Sequence, residues 1–496
     1  MNAQPDRRDR NLRRRVLPRR LMMACALALA VCSPAQADSV IDWNIVANAV
    51  APRMTGLQRE GSLLPIPGPQ PQSRGLTMVH LAIHDALNAI EPRYETYLPR
   101  SPASPDASPD AAVAAAAYNV LLTWIPGDAP LTLPSGVTTL DTVYANALSA
   151  LPDAGKADGI AAGAAAATAI LQQRTGDGST GIDPVYTTAP GPGVYQPTPS
   201  PEFPAQIIPS FAAWAGVTPF AIRSASQFRS DPGEIFDLGG AAYTREYNEV
   251  MSIGDARVRG AAPDSEESDI ARYWGAAGGA DWNANARVIV NDLGLDQWQH
   301  ARLFALVNMS NADALIANQD SKYLYRFWRP VTAIRWADDG NPATPSDPGW
   351  RPLLPTPPYP DYPCALPTGA GAGAEAIRRF FGTDNVAFTR SVTAPVVALP
   401  APMAALPAKP MTRHFDSLSE AVEEAASARV YAGIHFRSGC YAGARMGRQV
   451  AHFVFQHYLK PMKAKPLPAQ QSKAARSSPK SSLQRIEPQV APARRK

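Results

Sequence analysis

Seven histidines and four cysteines in 496 residues leave little material for metal clusters or cross-links. With Cys25 and Cys32 so near the start, the remaining pair, Cys364 and Cys440, makes neither a disulfide scaffold nor a four-cysteine zinc site. Charge is scarce as well. Charged residues are 18% of the chain against 45% hydrophobic, with a mean hydropathy of −0.19, which excludes a disordered polyelectrolyte and a polytopic membrane protein. No period of 20 to 50 residues repeats, so a solenoid is excluded. Neither the evenly spaced β-branched runs of a sandwich nor the strand-helix alternation of a doubly wound sheet is present. The formal charge of +4 sits at the ends. Eight Arg against two Asp in residues 1–20, and ten Lys/Arg against one Glu in residues 460–496, leave a net −11 on residues 21–459. An acidic body of this kind does not offer nucleic acid the clustered cations that phosphates require.

What is present begins with a targeting pattern. The Arg-rich start is followed by the apolar run Leu21 to Cys32, too short to span a bilayer, and by the small-x-small site Ala35-Gln36-Ala37. Residues 1–37 are read as a signal peptide. Arg19-Arg20 leave twin-arginine and general secretion both open, and no transmembrane segment remains after cleavage. The mature chain would be periplasmic or extracellular, where Cys364 and Cys440 meet an oxidising environment. From residue 462 to 496 the chain has no hydrophobic period and reads as a disordered basic tail.

The body, residues 38–461, alternates Ala/Leu-rich stretches of helical period with Pro/Gly segments, which predicts an all-α domain. Helices are expected over Ser39 to Arg53, Gly75 to Ile90, Ala111 to Trp124, Gly155 to Gln173, Asp296 to Arg329 with an interruption, Ser419 to Arg429, and Phe436 to Leu459. Prolines gather in residues 101–110, 187–204, 344–367 and 393–410, which are expected to be long surface loops.

Two segments carry chemistry. In KYLYRFWRP, Lys322 and Arg329 are seven apart, so on a continuous helix ended by Pro330 they would share one face. Two aligned cations without a carboxylate between them would welcome an oxyanion, and the neighbouring Tyr323, Tyr325, Phe327 and Trp328 point to burial. In SARVYAGIHFR, Gly433 permits a break between Arg429 and His435. Ser417 and Glu420 form a capping-box pattern for a helix ending near Arg429, and His435 would open the last helix, where amide dipoles favour an anion. His80, His84 and Asp85 form a third group with metal-like i, i+4 spacing but no third ligand, and read as packed polar residues. His300, His414, His452 and His457 have no motif around them. Gly369, Gly371 and Gly373 alternate with Ala without the Lys-Ser/Thr of a phosphate loop, which suggests close helix packing.

K-x6-RP at Lys322 to Pro330 and R-x5-H at Arg429 to His435 resemble the first and third motifs of the vanadium-dependent haloperoxidases. Those enzymes share their oxyanion site with type 2 phosphatidic acid phosphatases. DWNIVANAV (Asp42 to Val50), MVHLAIHDALNAIEPRY (Met78 to Tyr94), FWRPVTAIR (Phe327 to Arg335) and YAGIHFR with ARMGRQVA (Tyr431 to Ala451) are similar to the secreted bacterial branch, and the likeness covers most of residues 40–458. It implies helical bundles with long Pro-rich loops and an oxyanion site within residues 322–437. By that resemblance Lys322, Arg329 and Arg429 hold the nonbridging oxygens, the Ala365 N–H and Cys364 contribute to the cradle, and His435 is the vanadate ligand or the nucleophile toward phosphate. The cofactor implied is vanadate, with phosphate able to occupy the same site. The implied partners are halide, hydrogen peroxide and a small organic acceptor, or a phosphomonoester. Homo-oligomerisation is left open.

The middle motif departs from the family. Where Pro, Ser, Gly and His belong stand Pro363, Cys364, Ala365 and Leu366. The resemblance makes the missing His the general acid-base, whose loss typically costs about 10² to 10⁴ in rate. The reading is therefore a haloperoxidase-like enzyme with reduced activity. The alternatives are an acid phosphatase with His435 as nucleophile and a catalytically degenerate oxyanion-binding protein. For Cys364 and Cys440 beside the site, one expectation is a disulfide that partly occludes it and the other is two separate buried thiols.

Overall fold

The computed structural model describes residues 38–462 apart from 62–63, 199–208 and 279–281. The expected signal peptide and all but the first residue of the basic tail lie outside the described residues. Fourteen α-helices are found among the described residues, and the strands form three short sheets. The first five helices are α1 Ser39–Val50, α2 Pro69–Ile90, α3 Pro109–Leu121, α4 Leu140–Ser149 and α5 Lys156–Gln173. Next come α6 Ala241–Ile253, α7 Ala256–Ala261, α8 Glu266–Ala277, α9 Trp282–Val290 and α10 Gln297–Tyr325. The last four are α11 Pro330–Arg335, α12 Ala365–Phe381, α13 Leu418–Tyr431 and α14 Arg437–His457. None of the described helices is long and apolar enough to cross a membrane.

Local chemistry sets many of the helix starts. Asp38, Ser108, Thr139, Ser265 and Ser417 each accept a backbone N–H of the first turn of α1, α3, α4, α8 and α13, serving donors that have no partner within the helix. Asp296 and Gln299 form a reciprocal capping box at the start of α10. α2 begins six residues before the expected Gly75, because Pro69 and Pro71 fall in its first turn, where a missing N–H costs nothing.

α1, α2, α3 and α5 pack as one bundle, and α10, α12, α13 and α14 as a second, with α10 touching α2 on one side and α12 and α14 on the other. α10 is buried around its circumference and carries Asn308, Ser310, Asn311, Asp313, Asn318, Gln319 and Lys322 into the interior. Such polar groups need partners. The Asp313 carboxylate has three, accepting the N–H groups of Phe220, Ala221 and Ile222 at 2.6, 2.7 and 2.8 Å and so pinning a crossing loop to the central helix. An antiparallel hairpin, Phe388–Ala394 paired with Lys409–Phe415, packs against α8 and α9. It occupies the flanks of a segment expected to be loop, and α12 likewise begins inside the Pro-rich stretch that was expected to run to residue 367.

Candidate functional site

α10 ends earlier than its spacing suggests. Arg326 is left-handed at φ 50°, its N–H closing on the Lys322 carbonyl at 2.8 Å. Pro330 then forces the residue before it out of the helical region, and Arg329 is extended at φ −88° and ψ 154° as the cap of α11. Lys322 and Arg329 therefore do not project from one helical face, and Pro330 starts a helix rather than ending one. The turn brings the two cations together all the same. Lys322 Nζ donates to the Pro360 and Asp361 carbonyls at 2.6 and 2.9 Å. Arg329 Nε donates to the Tyr359 carbonyl at 2.8 Å, and its Nη1 donates to the Ile434 carbonyl at 2.8 Å and to His435 Nε2 at 2.7 Å. The Tyr359 ring lies 5.0 Å from Lys322 Nζ and 5.3 Å from Arg329 Cζ, within cation-π range of both.

The segment bearing the other two motif residues turns at Gly433, whose φ of +76° suits glycine. A side chain there would also meet the Gly254 carbonyl at 2.3 Å. Arg429 sits in the last turn of α13 and His435 two residues before α14. Ser417 caps α13 as expected, but the Glu420 carboxylate reaches the Asp416 N–H, so the box is not reciprocal. The expectation that an anion would use the α14 amides is corrected. Glu246 on α6 already accepts the Ser438 N–H at 2.8 Å, and Arg437 is paired with Glu249. The helix end that faces the cations is that of α12. Cys364 caps it, Ala365 is its first residue with an N–H that has no intrahelical partner, and half-buried Leu366 packs between the two main apolar clusters.

Asp361 belongs to this site and was not identified from the sequence. Its buried Oδ1 approaches His435 Nδ1 at 2.9 Å, although the ring N–H is not aligned on it and neither carboxylate oxygen has a well-directed donor. Gly439 makes the room, since a Cβ there would lie 3.1 Å from Asp361 Oδ2. The signal available was a single acid within the motif segment PDYPCAL, but an Asp among prolines reads as a turn residue.

Lys322, Arg329, Asp361, Cys364, Cys440 and His435 are at most 1% exposed, Ala365 and Arg429 8% and 9%. Burial dominates their chemistry. It pulls Lys322 down to about 7, with Arg329 adding repulsion, and holds His435 well below its ordinary value, helped by Arg329, Lys322 and Arg429. It raises Asp361 to about 8 against the pull of Arg329 and Lys322. For Cys364 burial pushes upward but is outweighed by the Cys440 thiol and by Arg429, Lys322 and Arg329, which bring it down to about 7, while burial lifts Cys440 well above the usual thiol range. A neutral His435 whose Nε2 accepts from Arg329 keeps a lone pair on that nitrogen.

Two buried donors of the cradle, Arg329 Nη2 and Arg429 Nε, have no partner among the described residues. Buried cations with unused N–H groups, one of them in contact with a neutral imidazole nitrogen, fit a tetrahedral oxyanion such as vanadate or phosphate. Cys364 and Cys440 are free thiols in mutual hydrogen-bond contact. The structure thus holds the second of the two expected states, two unbridged buried thiols, and not the disulfide.

The remaining histidines have partners of their own. His80 Nε2 meets Asn44 at 2.8 Å while its ring stacks on Phe304, and burial pulls it down to about 3. His84 meets Asp85, whose carboxylate also accepts the Tyr97 and Leu98 N–H groups and so fastens a loop. His300 binds Asp38, His414 binds Thr389 and Asp416, His457 binds the Phe453 carbonyl, and His452 lies 3.9 Å from Glu375. Gly371 and Gly373 allow close approach to the Ala444 backbone and to Trp282, in keeping with the packing role expected for that run.

Residues 302–464, which hold every residue of this site, match the VCPO second helical-bundle domain. Over 473 residues the chain is 28% identical to the vanadium chloroperoxidase of Curvularia inaequalis, 75% of each being covered. The chain is a relative of the vanadium-dependent haloperoxidases. The crystal structure of the first bacterial vanadium-dependent iodoperoxidase shares its fold with the chain at a TM-score of 0.65 and 23% identity, over 86% of this chain and 97% of that one. The holo-type bacterial vanadium-dependent chloroperoxidase does so at 0.59 and 20% identity, over 78% and 92%. The all-α architecture of this haloperoxidase relative is thus common to proteins of low sequence identity.

Proposed function

We propose that the chain binds a tetrahedral oxyanion against His435 Nε2, with vanadate as the working cofactor, and carries out peroxide-dependent halide oxidation at reduced rate. The carrying observation is the pair of partnerless buried N–H groups, Arg329 Nη2 and Arg429 Nε, on two cations that both act on His435, Arg329 through a direct contact at 2.7 Å. Bound there, vanadate would supply Lewis-acid activation of peroxide. The chain's own part is to hold and orient. Arg329 would move its Nη1 from His435 Nε2 to an oxyanion oxygen, Lys322 and Arg429 would neutralise two more, and the first amide of α12 would meet another. Tyr359 and the surrounding apolar residues keep water away from the cations, which strengthens each contact. Asp361 Oδ1 lies 2.9 Å from His435 Nδ1, and a small turn of the ring would let it accept that N–H and hold the proton on Nδ1. No side chain at position 366 can donate a proton, and this is the ground for reduced turnover.

A His435-centred phosphatase is the second reading, favoured by the Asp361 carboxyl behind the imidazole. It is the weaker of the two, because a leaving alkoxide needs a proton that Leu366 cannot give. The proposed setting is outside the cytoplasm, with halide, hydrogen peroxide and a small organic acceptor as partners.

Vanadate binding by equilibrium dialysis tests the site. Each charge-assisted contact contributes roughly 1.5 to 3 kcal/mol, so Arg329→Ala or His435→Ala should weaken binding by at least about tenfold. Unchanged affinity in both variants refutes the proposal. Bromination and phosphomonoester hydrolysis measured side by side choose between the two readings.

A further inference from the structure

Beyond the single S–H that Cys364 lends to the cradle, the function proposed above makes no use of the thiol pair. Cys364 stands at the N-cap position of the 17-residue α12 without a capping hydrogen bond of its side chain, and Cys440 lies in the first turn of α14. The Cys364 N–H donates to the Gly439 carbonyl at 2.8 Å, which locks the two segments side by side. The sulfurs are within hydrogen-bond reach of each other, and both are fully buried. Three cations, Lys322, Arg329 and Arg429, act on Cys364, and an electropositive helix start is the environment that makes a thiol nucleophilic.

We propose that Cys364 and Cys440 form a peroxide-oxidisable dithiol, with Cys364 as the attacking and Cys440 as the resolving residue. The Cys364 sulfur, having lost its proton, attacks one oxygen of hydrogen peroxide. An S–O bond forms, the O–O bond breaks, and the departing hydroxide takes the released proton to become water. The Cys440 sulfur then attacks the resulting sulfenic sulfur, an S–S bond forms, the S–O bond breaks, and hydroxide leaves with the Cys440 proton as a second water. Two thiols are oxidised to one disulfide and one peroxide is reduced to two waters. The bridge removes the S–H of Cys364 from the oxyanion cradle, so peroxide in excess alters the site that it serves. The route of peroxide to the thiols rests on the proposed function, in which peroxide is a co-substrate of this cradle.

The test uses the purified full chain, reduced and desalted, then treated with about one equivalent of hydrogen peroxide, alkylated after denaturation, and mapped by proteolysis and mass spectrometry. The expected result is a cross-linked peptide pair holding Cys364 and Cys440, lighter by two hydrogens. Cys440→Ser should stop at a sulfenic acid on Cys364, trapped by dimedone, and Cys364→Ser should leave Cys440 unmodified. Full alkylation of both cysteines in the treated wild type overturns the proposal. So does dimedone labelling of Cys440 in Cys364→Ser at the wild-type rate of thiol loss, since Cys440 would then react on its own. Vanadate affinity measured on the same reduced samples separates the two ideas. Binding without oxidation defeats the dithiol alone, and oxidation without binding defeats the cofactor assignment alone.

Discussion

Of the residues around the cradle, Leu366 and Lys322 most directly limit what the site can do. Leu366 occupies the second position of α12, half-buried at the junction of two apolar clusters. Leu366→His should raise peroxide-dependent bromination by at least about tenfold, within the 10² to 10⁴ range of a restored acid-base, while leaving vanadate affinity within a factor of a few. Bound vanadate with no gain in rate would show that the missing proton donor is not the limiting defect. Lys322 sets a pH dependence. Its ammonium, facing Arg329, Asp361, Cys364 and Cys440, is brought to about 7, so it is charged below that pH and neutral above it. Asp361, at about 8, and Cys364, at about 7, gain negative charge over the same interval. All three changes disfavour an anion. Sulfate, whose own charge is constant there, should bind progressively more weakly from pH 6 to 9, and Lys322→Met should bind it weakly at pH 6 with a shallower decline. A flat wild-type profile would remove Lys322 from the cradle.

Among the elements, the contact of α12 with α14 holds the site together, and glycines permit it. A Cβ on Gly443 would lie 2.3 Å from the Cys364 carbonyl and 2.8 Å from Thr368 Oγ1, and one on Gly447 would lie 2.0 Å from the Thr368 carbonyl. Gly443→Ala should therefore cost about 1 to 3 kcal/mol of stability and also weaken oxyanion binding, because it lifts the start of α12 away from the cations. Gly216→Ala, where a Cβ meets nothing within 4 Å, is the control for both measurements. Loss of stability without loss of binding would show that the α12 terminus is not part of the cradle. These elements were unevenly legible in the sequence. α1, α3, α5, α13 and α14 carry long periodic runs and start near where the pattern puts them. The start of α12 was hidden because Pro367 closed a Pro-rich stretch read as loop, whereas a proline at the third helical position loses no hydrogen bond. The short α7 and α9 offer too few residues for a period to register. The same limit applies to the site. Lys322, Arg329, Arg429 and His435 stand out through spacing and resemblance, but their convergence depends on a left-handed Arg326 and an extended Arg329, and the partnership of Asp361 with His435 depends on tertiary contact alone.

For the molecule as a whole, the proposed removal of residues 1–37 would make Asp38 the first residue, and Asp38 supplies a physical test of that start. It caps α1 by accepting the Val40 N–H at 2.8 Å, and its other oxygen meets His300 Nδ1 on the central helix α10 at 2.6 Å. One carboxylate thus serves the first helix and ties it to the helix shared by both bundles. A cut after Ala37, at the small-x-small site, preserves both contacts, and a cut one residue later removes both. N-terminal sequencing of exported protein is expected to begin at Asp38. A chain started at Ser39 should be less stable than one started at Asp38 by about 1 to 2 kcal/mol, the usual cost of losing an N-cap together with a partly buried hydrogen bond. Thermal melts of the two purified chains at one pH measure this directly. Equal melting temperatures would mean that Asp38 contributes nothing to the joint between the bundles, and would leave the small-residue pattern as the sole ground for placing the start of the mature protein there.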